Sequence, residues 1–470
     1  MAFNKLAITA ALAAFTAVSL SGCSALEPPK KNAPAIHINE DPFPSTYAPY
    51  PGVPTAIRGA TVFDGEGGQI ANGTVILADG KVQAVGGPDL PIPAGVQVID
   101  GTGKFVTPGI IDVHSHLGDY PSPGVESLSD GNEATSPVTA EVWAEHSVWP
   151  QDPGFSRALV NGGITTLQIL PGSANLFGGR SVVLKNVPAR TVQGMKFPGA
   201  PYGLKMACGE NPKRVYGSKG KEPSTRMGNI AVARQTWAKA QAYKQKWDKY
   251  YAKGGEMPER DLAMDTLKGV LEGKILIQNH CYRADEMANM IDMSKEFGYH
   301  ITAFHHAVEA YKIADLLRDN GICAVMWADW YGFKMEAYDG VKENIPLVHN
   351  AGACAIVHSD DPNYIQRLNQ EAAKALSDGQ RAGLPNLSEA VAWEWLTYNP
   401  ARALGIADRT GSLKPGKMAD VVLWNGDPFS TYTRPERVWI DGALMYDAND
   451  PKRRPVSDFE LGQPGEGDVK

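Results

Sequence analysis

The chain has 470 residues, 43% of them apolar and 21% charged, and its formal net charge is −7. An apolar fraction this high supports a large buried core and excludes a disordered chain. The acidic balance provides no basic surface for nucleic acid, so we predict no nucleic-acid partner.

The N-terminus has the pattern of an export signal. Lys5 precedes an apolar stretch from Leu6 to Leu20 that is too short for a membrane span. Leu20-Ser21-Gly22-Cys23 resembles the lipobox of bacterial lipoproteins, which implies cleavage before Cys23 and a lipid on its thiol. We predict a signal peptide over 1–22, a flexible tether over 23–50, and an exported protein anchored to a bacterial membrane, either facing the periplasm or at the outer membrane. An ordinary signal peptide with an incidental cysteine is the alternative.

Both ends of the remaining chain predict β-strands. Short β-branched runs interrupted by Gly and Asp occupy 51–107, and similar runs such as Ala419–Trp424 occupy 406–450. Neither end has enough strands to fold alone. We therefore predict one small β-sandwich domain built from both chain ends, followed by a C-terminal tail over 451–470.

The intervening residues, 108–405, alternate apolar runs with helical stretches. This alternation predicts a parallel (β/α)8 barrel, an α/β fold of the TIM type. The eight predicted strands are Ile110–His116, Ile164–Leu170, Ser181–Leu184, Leu204–Cys208, Ile275–His280, Ile301–His306, Cys323–Trp327 and Ala353–His358. A doubly wound sheet is the alternative, but no glycine-rich phosphate loop follows the first run.

An insertion over 211–273 separates the fourth and fifth predicted strands. Its section Asn229–Ala252 predicts a basic amphipathic helix. We expect a solvated surface helix. A lid over the barrel mouth is the alternative, because active-site loops follow the C-terminal ends of barrel strands.

Four cysteines remain after Cys23. They are Cys208, Cys281, Cys323 and Cys354. None forms a C-x-x-C pair, and each lies in or beside a predicted buried strand. We therefore predict free, buried thiols and no structural disulfide.

Histidine and aspartate side chains stand at the ends of four predicted barrel strands. His114 and His116 end the first strand, and positions two apart share a face, so both imidazoles can point into the barrel. His280 and His306 end the fifth and sixth strands, and Asp360 follows the eighth. Nitrogen and carboxylate ligands without thiolate favour Zn²⁺, with Mn²⁺, Fe²⁺ or Co²⁺ as alternatives.

Four segments together resemble the amidohydrolase superfamily, specifically its imidazolonepropionase-like branch. They are the H-x-H run in Thr107–His116, the segment around Asp360, T-Y-N-P-A-R-A-L-G at Thr397–Gly405, and G-S-L-K-P-G-K-M-A-D-V-V at Gly411–Val422. The resemblance covers about Ile57 to Asp447. It implies a metal-dependent hydrolase that cleaves a carbon–nitrogen bond.

The resemblance also implies roles for individual residues. His114, His116 and Asp360 would hold a buried metal, and His280 and His306 a second, more exposed one. The catalytic residues would be Asp360, which shuttles the proton, and His306. Lys205, carboxylated, fits the position of the bridging ligand. Glu210 as the bridge, or a site with a single metal, are the alternatives.

The substrate is less determined than the chemistry. Export counts against imidazolonepropionase itself and favours a dipeptide-like amide. Arg214 and Tyr216, shortly after the fourth strand, could bind its carboxylate. A cyclic amidase or heterocycle deaminase is the alternative enzyme, and a non-catalytic metal-bearing binding lipoprotein is the alternative outside enzymes. A homo-oligomer is expected by analogy alone.

Overall fold

The structure, a computed structural model, describes residues 36–122 and 124–453. The predicted signal peptide, Cys23, the first part of the tether and the tail beyond Arg453 lie outside the described residues. Within the described ranges no helix has both the length and the apolar character needed to span a membrane.

Strands at both ends of the described chain flank a larger set between them. The first group consists of β1 (Thr55–Phe63), β2 (Gln69–Ala78), β3 (Lys81–Gly86), β4 (Gln97–Asp100) and β5 (Phe105–Pro108). The second group consists of β6 (Ile110–Ser115), β7 (Ile164–Ile169), β8 (Phe177–Lys185), β9 (Gly203–Ala207), β10 (Leu276–Cys281), β11 (Ile301–His306), β12 (Cys323–Met326) and β13 (Cys354–Val357). The third group consists of β14 (Val421–Trp424), β15 (Pro435–Ile440) and β16 (Ala443–Asp447).

The helices lie almost entirely between the strands of the second group and after its last strand. They are α1 (Pro153–Gly162), α2 (Glu210–Gly217), α3 (Arg226–Lys253), α4 (Leu262–Leu271), α5 (Ala284–Phe297), α6 (Ala314–Asp319), α7 (Asn344–Asn350), α8 (Leu368–Arg381), α9 (Glu389–Glu394) and α10 (Tyr398–Ala403).

Strands from the two chain ends form one sheet. Its order is β16-β15-β14-β5-β1-β2-β3, with β4 paired to β1. The central pair is β14 and β5, which run antiparallel, so residues more than 300 positions apart become neighbours. Buried side chains such as Val75, Val421 and Trp439 give this sheet its own apolar core. A second, facing layer, which would make the unit a sandwich, stays a prediction.

The middle of the chain forms an eight-stranded barrel in the order β6 to β13. Each of the eight predicted strands overlaps one of these strands. The barrel is nearly closed, because the backbone N–H of Asp360, just after β13, donates to the carbonyl of His114 on β6 at 3.1 Å.

One strand corrects the prediction of an all-parallel barrel. β8 runs antiparallel to both β7 and β9. Only residues 170–176 connect β7 to β8, which is too short for the helical crossover that a parallel pair needs. The connection from β8 to β9 likewise contains only a 3-10 turn, Val192–Gly194.

The long helix of the insertion does not cover the barrel mouth. α3 buries one face, including Trp237 and Trp247, and the Trp237 ring stacks on Tyr299 at 4.2 Å between centroids. Its first residue, Arg226, lies at the mouth, while Tyr250 near its other end accepts a hydrogen bond from the backbone of Ile36. The helix therefore runs along the barrel wall, where its aromatic side chains are buried against the barrel and removed from water.

The prediction of free cysteines is wrong. Cys208 is bonded to Cys281 and Cys323 to Cys354, with Cα–Cα distances of 5.3 and 4.4 Å. Each pair joins adjacent parallel strands, β9 to β10 and β12 to β13. Sequence spacing could not show that these cysteines occupy neighbouring positions across the sheet.

Residues predicted as the end of the tether are held against the barrel. The Ser45 hydroxyl donates to the Lys196 carbonyl at 2.6 Å, and the Tyr50 hydroxyl donates to the Pro188 carbonyl at 2.6 Å. The predicted tether therefore ends before these residues.

Candidate metal centre

The carboxyl ends of β6, β11 and β13 bring four of the predicted residues together. Nε2 of His114 lies 3.3 Å and Nε2 of His116 lies 3.2 Å from Oδ1 of Asp360. Nδ1 of His306 lies 3.8 Å from Oδ2 of the same carboxylate. Potential ligand atoms of His114, His116 and Asp360 all lie within 4.8 Å of one another. This convergence is the geometry that a single cation requires.

A chain of hydrogen bonds assigns the tautomer of His114. Gln278 donates from its amide to the Ala403 carbonyl at 3.0 Å, which leaves its Oε1 to accept from Nε2 of His305 at 2.7 Å. Nδ1 of His305 is then an acceptor, so Nδ1 of His114, 2.8 Å away, must be the donor. Nε2 of His114 consequently carries a lone pair toward Asp360.

His116 is oriented in the same way by the backbone. Its Nδ1 lies 2.8 Å from the Leu170 carbonyl, which can only accept, so Nδ1 carries the proton. Nε2 of His114 and Nε2 of His116 therefore both face one carboxylate oxygen of Asp360. Two imidazole nitrogens and a carboxylate oxygen that converge in this way are a donor set suited to Zn²⁺.

Asp112 holds the loop that carries Asp360. Its carboxylate accepts hydrogen bonds from the backbone N–H of His114 at 3.2 Å and from the backbone and hydroxyl of Ser359. Burial raises the pKa of Asp112 to about 7, and these hydrogen bonds act against that rise. Its partners are the backbone and a hydroxyl rather than a ligand ring, so Asp112 fixes the position of a strand end.

Two of the converging residues have an uncommon backbone conformation. His306 has φ of +70° and Asp360 has φ of +56°, in the left-handed region that non-glycine residues rarely adopt. Each such residue costs about 1–3 kcal/mol and clusters of them are typical of functional sites.

His358 is a member of the cluster that the sequence reasoning missed. Potential ligand atoms of His114, His306 and His358 also lie within 4.8 Å of one another. His358 is buried, and neither of its ring nitrogens has a hydrogen-bond partner within the described residues. A signal was present, because His358 ends the eighth predicted strand as His280 and His306 end the fifth and sixth.

His280 lies beside this cluster and outside both groups of ligand atoms. Its ring centroid is 4.5 Å from that of His306, and its Nδ1 is 2.8 Å from the Ser173 hydroxyl. Burial first, and then the charge of Lys205, lowers the pKa of His114 and His280 well below the usual range. Both imidazoles are therefore neutral, the form that binds metals.

The two residues considered as the bridge occupy different surroundings. Lys205 is fully buried, and its Nζ donates to the Pro171 carbonyl at 2.9 Å. Burial lowers the pKa of Lys205 to about 7, against the charge of Asp360. Glu210 instead lies 3.3 Å from Nζ of Lys334, and its side chain is about a quarter exposed.

A model of the amidohydrolase family matches residues 105–452, about three quarters of the chain. The chain belongs to the amidohydrolase family. Its narrower placement in the imidazolonepropionase-like branch stays a prediction.

Individual relatives agree with this assignment. This amidohydrolase is 32% identical over 435 residues to amidohydrolase tasK of Hapsidospora irregularis, which covers 84% of this chain and 43% of tasK. The chain thus spans less than half the length of that curated relative. The structure of an amidohydrolase from Thermotoga maritima MSB8 is 37% identical with a TM-score of 0.77, covering 84% of this chain and 100% of that one. An adenosine deaminase from Xanthomonas campestris with bound zinc, 15% identical with a TM-score of 0.50 over 87% of this chain and 95% of that one, shares the fold alone.

The two predicted substrate-binding residues differ in accessibility in this amidohydrolase. Arg214 is exposed on α2, directly after β9, and its charge acts on Lys334. Tyr216 is fully buried, and its hydroxyl contacts the Ser136 carbonyl and Oδ1 of Asn175. Arg214 is thus free to meet a ligand, whereas the Tyr216 hydroxyl already has protein partners.

The segment between β12 and α7 folds over the mouth of this amidohydrolase. Trp327 stacks on the candidate ligand His306 at 4.3 Å between ring centroids, and Tyr282 also lies against this ring at 5.3 Å. Farther along, Glu336 accepts from the backbone N–H of Glu210 at 2.8 Å and pairs with Arg226. This mouth loop, residues 328–342, is therefore fastened to the start of α2 and α3.

Proposed function

We propose that this amidohydrolase uses a divalent metal, zinc in the first instance, to hydrolyse a carbon–nitrogen bond of a small, dipeptide-like substrate. The observation that carries the proposal is the convergence of His114, His116 and Asp360, with His306 and His358 beside them, at one mouth of the barrel.

The chemistry of the donor atoms fits a metal. Nδ1 of His306 and both ring nitrogens of His358 are buried without hydrogen-bond partners in the described part of the chain. Unpartnered buried nitrogens of this kind are costly, and a cation would satisfy them. Nitrogen and oxygen donors without thiolate are compatible with Zn²⁺.

Specific residues would hold the metal. His114, His116 and Asp360 would bind the more buried ion, and His280 with His306 a second one. We favour carboxylated Lys205 as the bridge, because its lowered pKa leaves part of the amine neutral, and a neutral amine adds CO₂ with loss of one proton. A bound divalent metal lowers the pKa of coordinated water to about 7 and polarises a carbonyl.

The protein side chains then move the proton. In our proposal Asp360 accepts the proton of the attacking water and delivers it to the leaving nitrogen, as general base and then general acid. Asp112 and Ser359 keep the Asp360 carboxylate in place while it does so.

Two features support a dipeptide-like substrate. Arg214 is exposed at the mouth, and a guanidinium binds a carboxylate with two parallel hydrogen bonds. The resemblance of Leu20–Cys23 to a lipobox supports an exported, lipid-anchored enzyme, which would meet peptides outside the inner membrane.

Two experiments test the proposal: removal of the metal by chelation, and removal of the proton shuttle by Asp360→Asn. We expect zinc-loaded protein to release amino acids from a dipeptide library, and chelation to abolish this activity until zinc is restored. Asp360→Asn should lower kcat by about 10²- to 10⁴-fold, whereas Asp319→Asn, an exposed carboxylate away from the mouth, should leave it unchanged. Ammonia release from heterocycles without dipeptide cleavage would show the deaminase alternative, and full activity of Asp360→Asn would refute the mechanism.

A further inference from the structure

A cavity lies at the end of the barrel opposite the candidate metal centre. Its volume is about 250 Å³. Its lining includes Tyr202, the residue before β9, and Ile275, the residue before β10, whereas the candidate metal ligands follow the ends of strands. The N-terminal residues Ile38–Asp41 complete its wall.

The Arg180 guanidinium faces this cavity. Arg180 is only 6% exposed, and its Nε donates to the Thr266 hydroxyl at 2.8 Å. The guanidinium carbon lies 4.1 Å from the centre of the Trp143 ring and 5.5 Å from that of Tyr202, and both rings line the cavity. Neither terminal nitrogen of Arg180 has a hydrogen-bond partner within the residues that the structure describes.

The other charged groups around the cavity are already paired. Nζ of Lys274 lies 2.7 Å from Oε1 of Glu40, and Nε of Arg260 lies 2.7 Å from Oδ2 of Asp265. Nζ of Lys268 lies 2.7 Å from Oε1 of Glu272, and Oδ1 of Asp41 lies 3.0 Å from Nζ of Lys196.

Arg180 stands apart from these pairs. It has no carboxylate within ion-pair distance among the described residues. A buried cation without an anion is unfavourable, and stacking on the Trp143 ring offsets only part of that cost. Burial lowers the pKa of Arg180 to about 10, and the more distant charges of Asp265, Glu145 and Glu40 act against that fall.

We propose that this cavity binds a small monocarboxylate with an apolar body and that Arg180 is its anchor. The two free nitrogens of Arg180 form the planar fork that binds a carboxylate through parallel hydrogen bonds. Ile38, Ile275 and the Trp143 ring provide the apolar wall. The carboxylates of Glu40, Asp41 and Asp265 are already paired with cations, so Arg180 is left to neutralise a single negative charge, which disfavours an anion of higher charge such as phosphate.

Calorimetric titration of the zinc-loaded full chain with isovalerate tests the proposal. We expect saturable binding in the wild type, about 10- to 100-fold weaker binding in Arg180→Met, and partial loss in Arg180→Lys, which keeps the charge without the fork. Asp360→Asn controls for binding at the metal mouth and should leave the isovalerate affinity unchanged. Equal affinity in Arg180→Met, loss in Asp360→Asn, tighter binding of inorganic phosphate, or no saturable binding in the wild type would each overturn the proposal.

Two further measurements apply if Arg180→Met fails to fold. Ile38→Trp keeps the guanidinium and fills the cavity from its outer wall, so it should abolish binding, and retained binding would contradict the assignment. Anomalous scattering from 3-bromopropionate soaked into wild-type crystals should place bromine in this cavity. A bromine site only at the metal mouth would refute it.

Discussion

His305 shows how a neighbouring side chain can set the tautomer of a candidate metal ligand, His114. It lies between His114 and Gln278, and the direction of its hydrogen bonds leaves Nε2 of His114 without a proton. Outer partners of this kind typically contribute 10- to 100-fold to metal affinity. The next residue, His306, is the one that the sequence predicted as a metal ligand, and its ring faces Asp360.

We predict that His305→Ala lowers zinc affinity by about 10- to 100-fold, because His114 loses the acceptor that fixes its ring. Competition against a chromogenic chelator measures the effect. His300→Ala, an exposed histidine just before β11, is the matched control and should bind zinc as the wild type does. Unchanged zinc affinity in His305→Ala would show that the tautomer of His114 does not affect metal binding.

Substitution of Lys205 distinguishes a two-metal site bridged by Lys205 from a site bridged by Glu210 or a site with a single metal. We predict that Lys205→Ala lowers the zinc content per chain from two ions to one, while Glu210→Gln retains two. Lys205→Glu supplies a carboxylate at the same place and should restore part of the second ion. Metal analysis by mass spectrometry under native conditions checks this, and retention of two ions in Lys205→Ala together with loss in Glu210→Gln would identify Glu210 as the bridge.

At the scale of elements, the mouth loop depends on one buried carboxylate. Glu336 is 3% exposed and joins the loop to the start of α2 and to Arg226 of α3. The insertion thus influences the mouth through the first residues of its helices, while the length of α3 packs along the barrel.

We predict that Glu336→Ala makes opening of the mouth loop easier by about 2 kcal/mol, because it leaves the Glu210 N–H without its acceptor and removes one of the two carboxylates of Arg226, which keeps only Glu286 at 3.0 Å. Backbone hydrogen exchange over residues 328–342 should become roughly 30-fold faster. Glu256→Ala, on an exposed turn, should not alter exchange there. Identical exchange in Glu336→Ala and the wild type would show that the loop is held by its aromatic contacts instead.

At the scale of the whole molecule, a buried ion cluster joins the barrel to the sheet. Nζ of Lys185 on β8 lies 2.9 Å from Oδ2 of Asp420 and 3.1 Å from Oδ2 of Asp441. Both aspartates belong to the C-terminal half of the sheet. All three side chains are at least 95% buried. Asp420 also accepts from the Thr410 hydroxyl at 2.7 Å.

We predict that Lys185→Met lowers the free energy of unfolding by about 3–5 kcal/mol, because it leaves two buried carboxylates without their cation. Urea unfolding followed by far-UV circular dichroism measures this loss. Lys342→Met, an exposed lysine, is the control and should change stability little. A loss no larger than that of the control would show that the cluster contributes no net stability.

Local patterns in the sequence predicted the strands and most of the candidate ligands. Alternation placed His114 and His116 on one face, and apolar runs placed His306 and Asp360 at strand ends. The same reasoning would have found His358, because it ends the eighth predicted strand. It could not find the role of His305, because that role depends on Gln278 from a different strand.

The barrel, the sheet shared by the chain ends and the family could be predicted from the sequence, because periodicity and short motifs are local properties of the chain. The direction of β8, the two disulfides, the course of α3 and the lack of a carboxylate partner for Arg180 among the described residues became known only from the folded structure. Each of these depends on which residues become neighbours across strands far apart in the sequence, and pairwise distance is a property of the folded chain.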